Sequence, residues 1–252
     1  MRALARGDLA PTLLGFFVLW LLLDRSAAGF GSMRGEFGLI VCALVLVAAV
    51  ACECILSRRS VAEAVPALGL RWTNWRALLW ALALSAALLP YFPIFAATTG
   101  ARLELLPGAA WLALGMFAQG GIAEEVVFRG FVFRRLRATR PFWHAALLAA
   151  APFVVVHALL LLQLDFAVAL ASLLLAVSIS FPLAWLFERS GGSVLAPALV
   201  HGVVQAGIKV LDAGDRFPLL ALGWIALCAT VPWLLFLLPE RKSPSESVGG
   251  PV

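Results

Sequence analysis

The chain has 252 residues, 63% of them hydrophobic and only 13% charged, with a formal net charge of +5. Soluble domains carry about 45 to 50% apolar and 25% charged residues, so this composition excludes an ordinary soluble domain and reads as an integral membrane protein. The length leaves room for one helical bundle and for no soluble domain of size.

A hydrocarbon core of about 30 Å needs roughly 20 apolar residues per helical crossing. Eight such runs are predicted, at residues 9–29, 37–56, 76–97, 108–133, 143–163, 166–187, 193–211 and 217–238. The expected fold class is all-α, a polytopic membrane helical bundle of about eight transmembrane helices. The first run, with Arg2 and Arg6 before it and Ser26, Ala27 and Ala28 after it, has the outline of a secretory signal. Its long apolar core and the regular count of the remaining runs favour a first transmembrane helix. Cys42, Cys52, Cys54 and Cys228 lie in or at the ends of runs, without the two-residue spacer of a redox or zinc pair, and read as buried thiols. The nine tryptophans read mostly as interfacial anchors or lipid contacts. Asp24, Glu53, Asp165 and Glu188 sit near run ends and read as solvated caps, His144 as interfacial. Residues 239–252 are polar, with Pro, Ser and Gly, and read as a disordered tail.

Orientation follows from the basic residues, because cytoplasmic loops carry the excess of Lys and Arg. One set of alternate connections holds 13 of them, among them Arg58, Arg59, Arg134, Arg135, Arg137, Arg140 and Arg189, and the other holds 5, Arg25, Arg34, Arg102, Lys209 and Arg216. Both termini are then cytoplasmic. The basic charge reflects this loop bias and implies no nucleic-acid partner. The use of 17 Arg against 2 Lys with abundant Ala points to a bacterial inner membrane.

Five residues stand where polar groups are costly: Glu124, Glu125, Arg129, His157 and His201 all lie inside predicted spans. An ionisable group at membrane depth costs roughly 2.5 to 3.5 kcal/mol on insertion scales, so each marks a functional site by default. Glu125 and Arg129 stand at i, i+4 with the acid first, the favourable order for pairing. Glu124, about 100° further around a helix, is left without that partner. Desolvation then suits it to act as a general base near neutral pH. Phe153 and His157 share a face of the fifth run just after Pro152, which loosens the backbone. Gln205 follows His201 by one helical turn in the seventh. Each feature alone also reads as helix-to-helix packing; together, from three runs, they read as a site. Gln119, Gly120 and Gly121 read as close helix packing and not as a phosphate loop.

Glu-Glu-x-x-x-Arg (Glu124, Glu125, Arg129), then Phe-x-x-x-His (Phe153, His157), then a His followed at four residues by an amide (His201, Gln205) resembles the CPBP intramembrane proteases, also called the CAAX protease or Abi family. Gln205 stands where Asn is usual. The resemblance covers about residues 104–213. It divides the chain into transmembrane helices 1 to 3 (1–103), a catalytic core of helices 4 to 7 (104–213), a last helix (214–238) and the tail (239–252).

The resemblance implies an endopeptidase of the kind that includes the Ras-converting CAAX endopeptidase, with a peptide or membrane-protein substrate. Glu124 with His157 would activate a water, and His201 with Gln205 would donate to the developing oxyanion. Glu125, Arg129 and Phe153 would support them. Peptide hydrolysis in a membrane requires a wet cavity, and distances along the helices from Glu124 to Arg134 and from His201 to Arg189 place its opening on the cytoplasmic side. A zinc ion on Glu124, His157 and His201 is the alternative chemistry; the favoured expectation is no metal and no other cofactor. A non-catalytic membrane scaffold or chaperone-like partner is the rival function. A transporter is disfavoured by the lack of paired halves.

Overall fold

The computed structural model describes residues 9–30, 37–162 and 166–238. Arg2, Arg6, Arg34, Asp165, Arg241, Lys242 and the expected tail 239–252 lie outside them. The described chain is an all-α bundle. Helices α1 (Leu9–Gly29) and α2 (Gly38–Ser57) pack side by side, followed by the short α3 (Val61–Ala67), α4 (Trp75–Leu88) and α5 (Tyr91–Thr99). A two-residue strand β1 (Glu104–Leu105) leads into the fourth hydrophobic run. That run begins as α6 (Ala109–Met116), widens into π-helical turns at Phe117–Ala123 and Val126–Phe133, and closes as α7 (Arg134–Arg137). Next come α8 (Phe142–Ala158) with a 3-10 turn at Leu159–Leu162, α9 (Phe166–Arg189) and α10 (Leu195–Lys209). Strand β2 (Leu211–Asp212) then pairs antiparallel with β1, Glu104 opposite Asp212 and Leu105 opposite Leu211. The described chain ends with α11 (Phe217–Thr230) and a 3-10 stretch, Val231–Leu237.

Among the described residues, five helical stretches are long and apolar enough to cross a membrane: Leu9–Ser26, Gly38–Ser57, Trp75–Thr99, Phe166–Arg189 and Gly214–Leu237. They account for five of the eight predicted runs. The other three differ for physical reasons. The fourth is broken into α- and π-turns, and α8 contributes only a shorter apolar helix, Phe142–Val155. With its 15 residues, α10 is about 22 Å long at 1.5 Å per residue, short of a full hydrocarbon core.

Outward faces carry Leu14, Val47, Ile55, Leu79 and Leu174, all exposed, as the surface of a helix in lipid would be. Inside, backbones approach closely. A Cβ on Gly121 would stand 2.8 Å from the Ala198 carbonyl of α10, so the glycine is required by packing, as the sequence pattern led us to expect. The tryptophans divide: Trp72 and Trp75 are exposed, whereas Trp224 is buried and its indole N–H donates to the Val204 carbonyl at 3.0 Å.

Glu53 is not the solvated cap expected from its place near the end of a run. Its carboxylate is fully buried, because three arginines close over it: Arg59 Nη1 at 2.6 Å, Arg134 Nη2 at 2.8 Å and Arg135 Nη2 at 2.7 Å. Arg59 reaches back because Arg58 turns the chain in a left-handed conformation (φ 51°), which costs a non-glycine residue roughly 1–2 kcal/mol. Arg135 also donates to Ser57 Oγ at 3.0 Å and lies over the Phe131 ring. One carboxylate thus ties α2 to the end of the fourth run. Replacing it by Glu53→Ala leaves three guanidinium groups crowded without a counter-charge. We expect a loss of roughly 3 kcal/mol, the low end for a broken buried ion pair because Arg59 and Arg134 keep some water contact. A lowered thermal unfolding midpoint in detergent would register it, and an unchanged midpoint would refute the cluster's structural role.

Candidate active site

The two adjacent acids of the fourth run sit between its π-helical turns. The Glu124 N–H reaches back five residues to the Gln119 carbonyl, and the Arg134 N–H does the same to Arg129. Such wide turns are uncommon and concentrate at functional sites. Here they shift the phase of the helix between its apolar ends. Glu124 faces a cavity, while Glu125 points into the protein.

Glu125 is fully buried, with Oε1 accepting from Arg129 Nη1 at 2.8 Å and from His201 Nδ1 at 2.8 Å. Arg129 is buried as well. Its second nitrogen, Nη2, lies 3.5 Å from the Ser180 carbonyl of α9, and its guanidinium stands 5.6 Å from the centroid of the Phe153 ring of α8. One acid and one base therefore join the fourth run, α8, α9 and α10. The carboxylate can only accept, so the His201 proton shared with it sits on Nδ1, which leaves Nε2 as the acceptor nitrogen. That Nε2 lies 3.7 Å from Glu124 Oε2, too far for a direct hydrogen bond and suited to a bridging water. In the same way His157 donates from Nδ1 to the Phe153 carbonyl at 2.9 Å, which leaves its Nε2 unprotonated. The Phe153 ring lies 4.3 Å from the His157 ring and 6.3 Å from that of His201, and so separates and orients the two imidazoles.

Glu124, His157, His201 and Gln205 all line one cavity of about 680 Å³. The supporting residues expected from the sequence take different places: Phe153 reaches the cavity wall, while Glu125 and Arg129 lie behind it. The remaining wall is mainly apolar, from Leu112, Met116, Leu175, Ile179, Val204 and Trp224. Spacing along the helices had led us to expect an opening beside the basic loops. The cavity runs the other way, from Glu124 and His201 past Gln205 to Ile208, the exposed Lys209 and Leu106, near the β1–β2 ribbon. The basic end is tightly packed: Val126 to Phe133 are all buried, Phe128 packs edge-on against Phe153, and a cavity of only about 10 Å³ remains beside Phe128, Arg129 and Phe133.

Three features escaped the sequence reading. Lys209 counted only as a loop charge, yet its Nζ donates to Gln205 Oε1 at 2.6 Å on the cavity wall. Gly120, read as packing, leaves room for the Gln205 stem. Trp224 was read as membrane-facing. Its Gly207 neighbour was the available signal, since a Cβ there would stand 2.5 Å from the indole. Among the described residues no three His, Cys, Asp or Glu side chains are placed to hold a metal ion. No step below passes through a metal.

Residues 106–207 match the family model described as Type II CAAX prenyl endopeptidase Rce1-like. The match is to the CAAX protease family and covers under half of the chain. No curated protein and no solved structure matches the chain. The Rce1-like match spans Glu124, His157, His201 and Gln205 and the Glu125–Arg129 pair, and it leaves out Lys209, Trp224 and the first two helices. Removing the guanidinium by Arg129→Leu would leave Glu125 buried with an imidazole as its only partner. The expected cost is about 3–5 kcal/mol of stability, the range for breaking a buried ion pair. Arg129→Lys should recover part of this, since an ammonium can pair with Glu125 but cannot also span to Ser180. Unfolding of the three proteins in detergent, compared side by side, checks the order.

Proposed function

We propose that the chain is an intramembrane endopeptidase that hydrolyses a peptide bond with a water activated by Glu124 and His157. The observation that carries this reading is the single cavity on which Glu124, His157, His201 and Gln205 meet, inside an apolar bundle and within the Rce1-like segment. Water held between Glu124 and the imidazole Nε2 atoms gives up a proton to the carboxylate as its oxygen attacks the scissile carbonyl. The negative charge that forms on the carbonyl oxygen is met by Gln205 Nε2–H and, when a proton from solvent occupies its Nε2, by His201. Glu124 then passes its proton to the departing amine, and the products are a free carboxylate and a free amine. Glu125 and Arg129 keep His201 in the required tautomer. The mechanism needs no metal.

A lipophilic peptide or membrane-protein segment is the proposed substrate, in keeping with the apolar walls above the polar floor, and a prenylated CAAX peptide, named by the family description, serves as its probe. The eight-helix topology is proposed with the basic loops and both termini on the cytoplasmic side of a bacterial inner membrane, from the excess of 13 against 5 basic residues. In that orientation the cavity runs towards the opposite face, and the cytoplasmic opening inferred from helix spacing is withdrawn. The rival reading, a non-catalytic scaffold, draws on Gln205, whose amide sits one methylene further from the backbone than that of an asparagine.

The test uses purified protein in detergent and a prenylated CAAX peptide. Glu124→Gln is expected to lower the cleavage rate about 10²–10⁴-fold, the usual worth of a general base, with the unfolding midpoint unchanged. A chelator should leave the wild-type rate intact. Membranes expressing wild type and Glu124→Gln, compared for peptides that accumulate uncut, extend the test to other substrates. Equal peptide patterns and equal rates in both would leave the scaffold reading standing.

A further inference from the structure

We propose that Lys209 is a positioning residue that fixes which end of the Gln205 amide faces the reacting peptide. The inference rests on the proposed role of Gln205 as an oxyanion donor. A glutamine amide presents a carbonyl oxygen and an NH2 group of nearly the same size, and its terminal torsion is broad and roughly two-fold. Left alone on a cavity wall, it can turn either end inward. Only the NH2 end stabilises an oxyanion; the carbonyl end repels it.

Two contacts remove this ambiguity. Lys209, one helical turn after Gln205, places Nζ 2.6 Å from Gln205 Oε1. An ammonium has three donors and no acceptor, so only the oxygen can face it, and Nε2 must then point the other way. The second contact is Gly120. A Cβ at this position would stand 3.0 Å from Gln205 Cγ, 3.2 Å from Cδ and 3.4 Å from Nε2, so the glutamine stem lies against bare backbone of the fourth run. Gly120 precedes Glu124 by four residues, and both line the cavity. The amide nitrogen is therefore held over the same wall that presents the carboxylate. Lys209 itself is exposed, which keeps its charge hydrated and makes the contact inexpensive to maintain.

A double-mutant cycle with the prenylated peptide tests the assignment. Lys209→Met should lower kcat about 10-fold with KM unchanged, a part of the 10²–10³-fold that loss of an oxyanion donor costs. Gln205→Ala should show the larger loss, and adding Lys209→Met to it should change the rate less than about two-fold, because the lysine acts only through the amide. Lys209→Arg, still a pure donor, should retain most of the activity. Side-chain 15N spectra give a readout that needs no substrate. The chain has three glutamines, Gln119, Gln163 and Gln205, so Gln205→Ala assigns the signal by its disappearance. Lys209→Met should move or broaden that signal and leave the other two in place. Equal losses from Lys209→Met in the presence and absence of the Gln205 amide, or an unmoved Gln205 signal, would overturn the proposal. If Glu124→Gln cleaves normally the protease reading fails by itself, and the spectra still decide the contact.

Discussion

The buried carboxylate of Glu125 is the constraint on which the site depends. A lone charge in a medium of low dielectric is costly enough that it shifts its protonation or leaves, and it stays charged only where partners answer it on the spot. Glu125 is answered twice, by the Arg129 guanidinium and by the His201 imidazole, both at 2.8 Å. The guanidinium carries its remaining donors towards the Ser180 carbonyl and its face towards Phe153. Four helices thereby share one electrostatic centre. Their relative positions are set by groups that cannot be separated without uncovering a charge. This is stricter than apolar packing, which tolerates sliding when volumes are preserved.

The same centre imposes the chemistry of the neighbouring groups. Because Glu125 accepts the hydrogen bond from His201 Nδ1, Nε2 turns to Glu124, and because the Phe153 carbonyl accepts that from His157 Nδ1, His157 is left with Nε2 as its free ring nitrogen. Both imidazoles are committed behind and available in front. Among the described residues Glu124 has no comparable partner, and the His201 imidazole stands 3.7 Å from it. Two adjacent acids of identical type thus have opposite duties, one structural and one directed at a cavity, and the π-turns that flank them separate their directions.

Much of this arrangement was legible in the sequence. Charged and polar groups are so rare in apolar runs that Glu124, Glu125, Arg129, His157 and His201 stood out individually, and the i, i+4 spacing of Glu125 and Arg129 foretold their pairing. The all-α architecture followed from run length. What stayed hidden depends on distance through space. Glu53 lies near the end of a run, as solvated caps do, and nothing local announces that Arg134 and Arg135, some eighty residues later, will cover it. The π-turns have no residue code beyond three glycines, so the phase of the fourth run, and with it the direction of the cavity, was read from α-helical geometry and came out reversed. Lys209 was indistinguishable from any basic residue at a helix end until its distance to Gln205 was known.

The reversed cavity constrains how a substrate can be held. A pocket of about 680 Å³ is within the range of sites that enclose a small ligand, roughly 300–1,000 Å³, and is far too small for a folded protein. Only a short extended segment can reach Glu124, and the rest of the substrate must remain outside. The charged floor lies towards the basic side, where Val126 to Phe133 are all buried and a cavity of only about 10 Å³ remains beside Phe128, Arg129 and Phe133. On the proposed reading, water would reach Glu124 through the same passage as the chain to be cut, past Gln205 and Lys209. On the same reading, a peptide that fills the passage would trap a water held between the acid and the imidazoles. The polar groups at the base and the apolar walls above them are then parts of one requirement: an unfolded, partly lipophilic segment must enter far enough to be cut while the membrane stays closed behind the site.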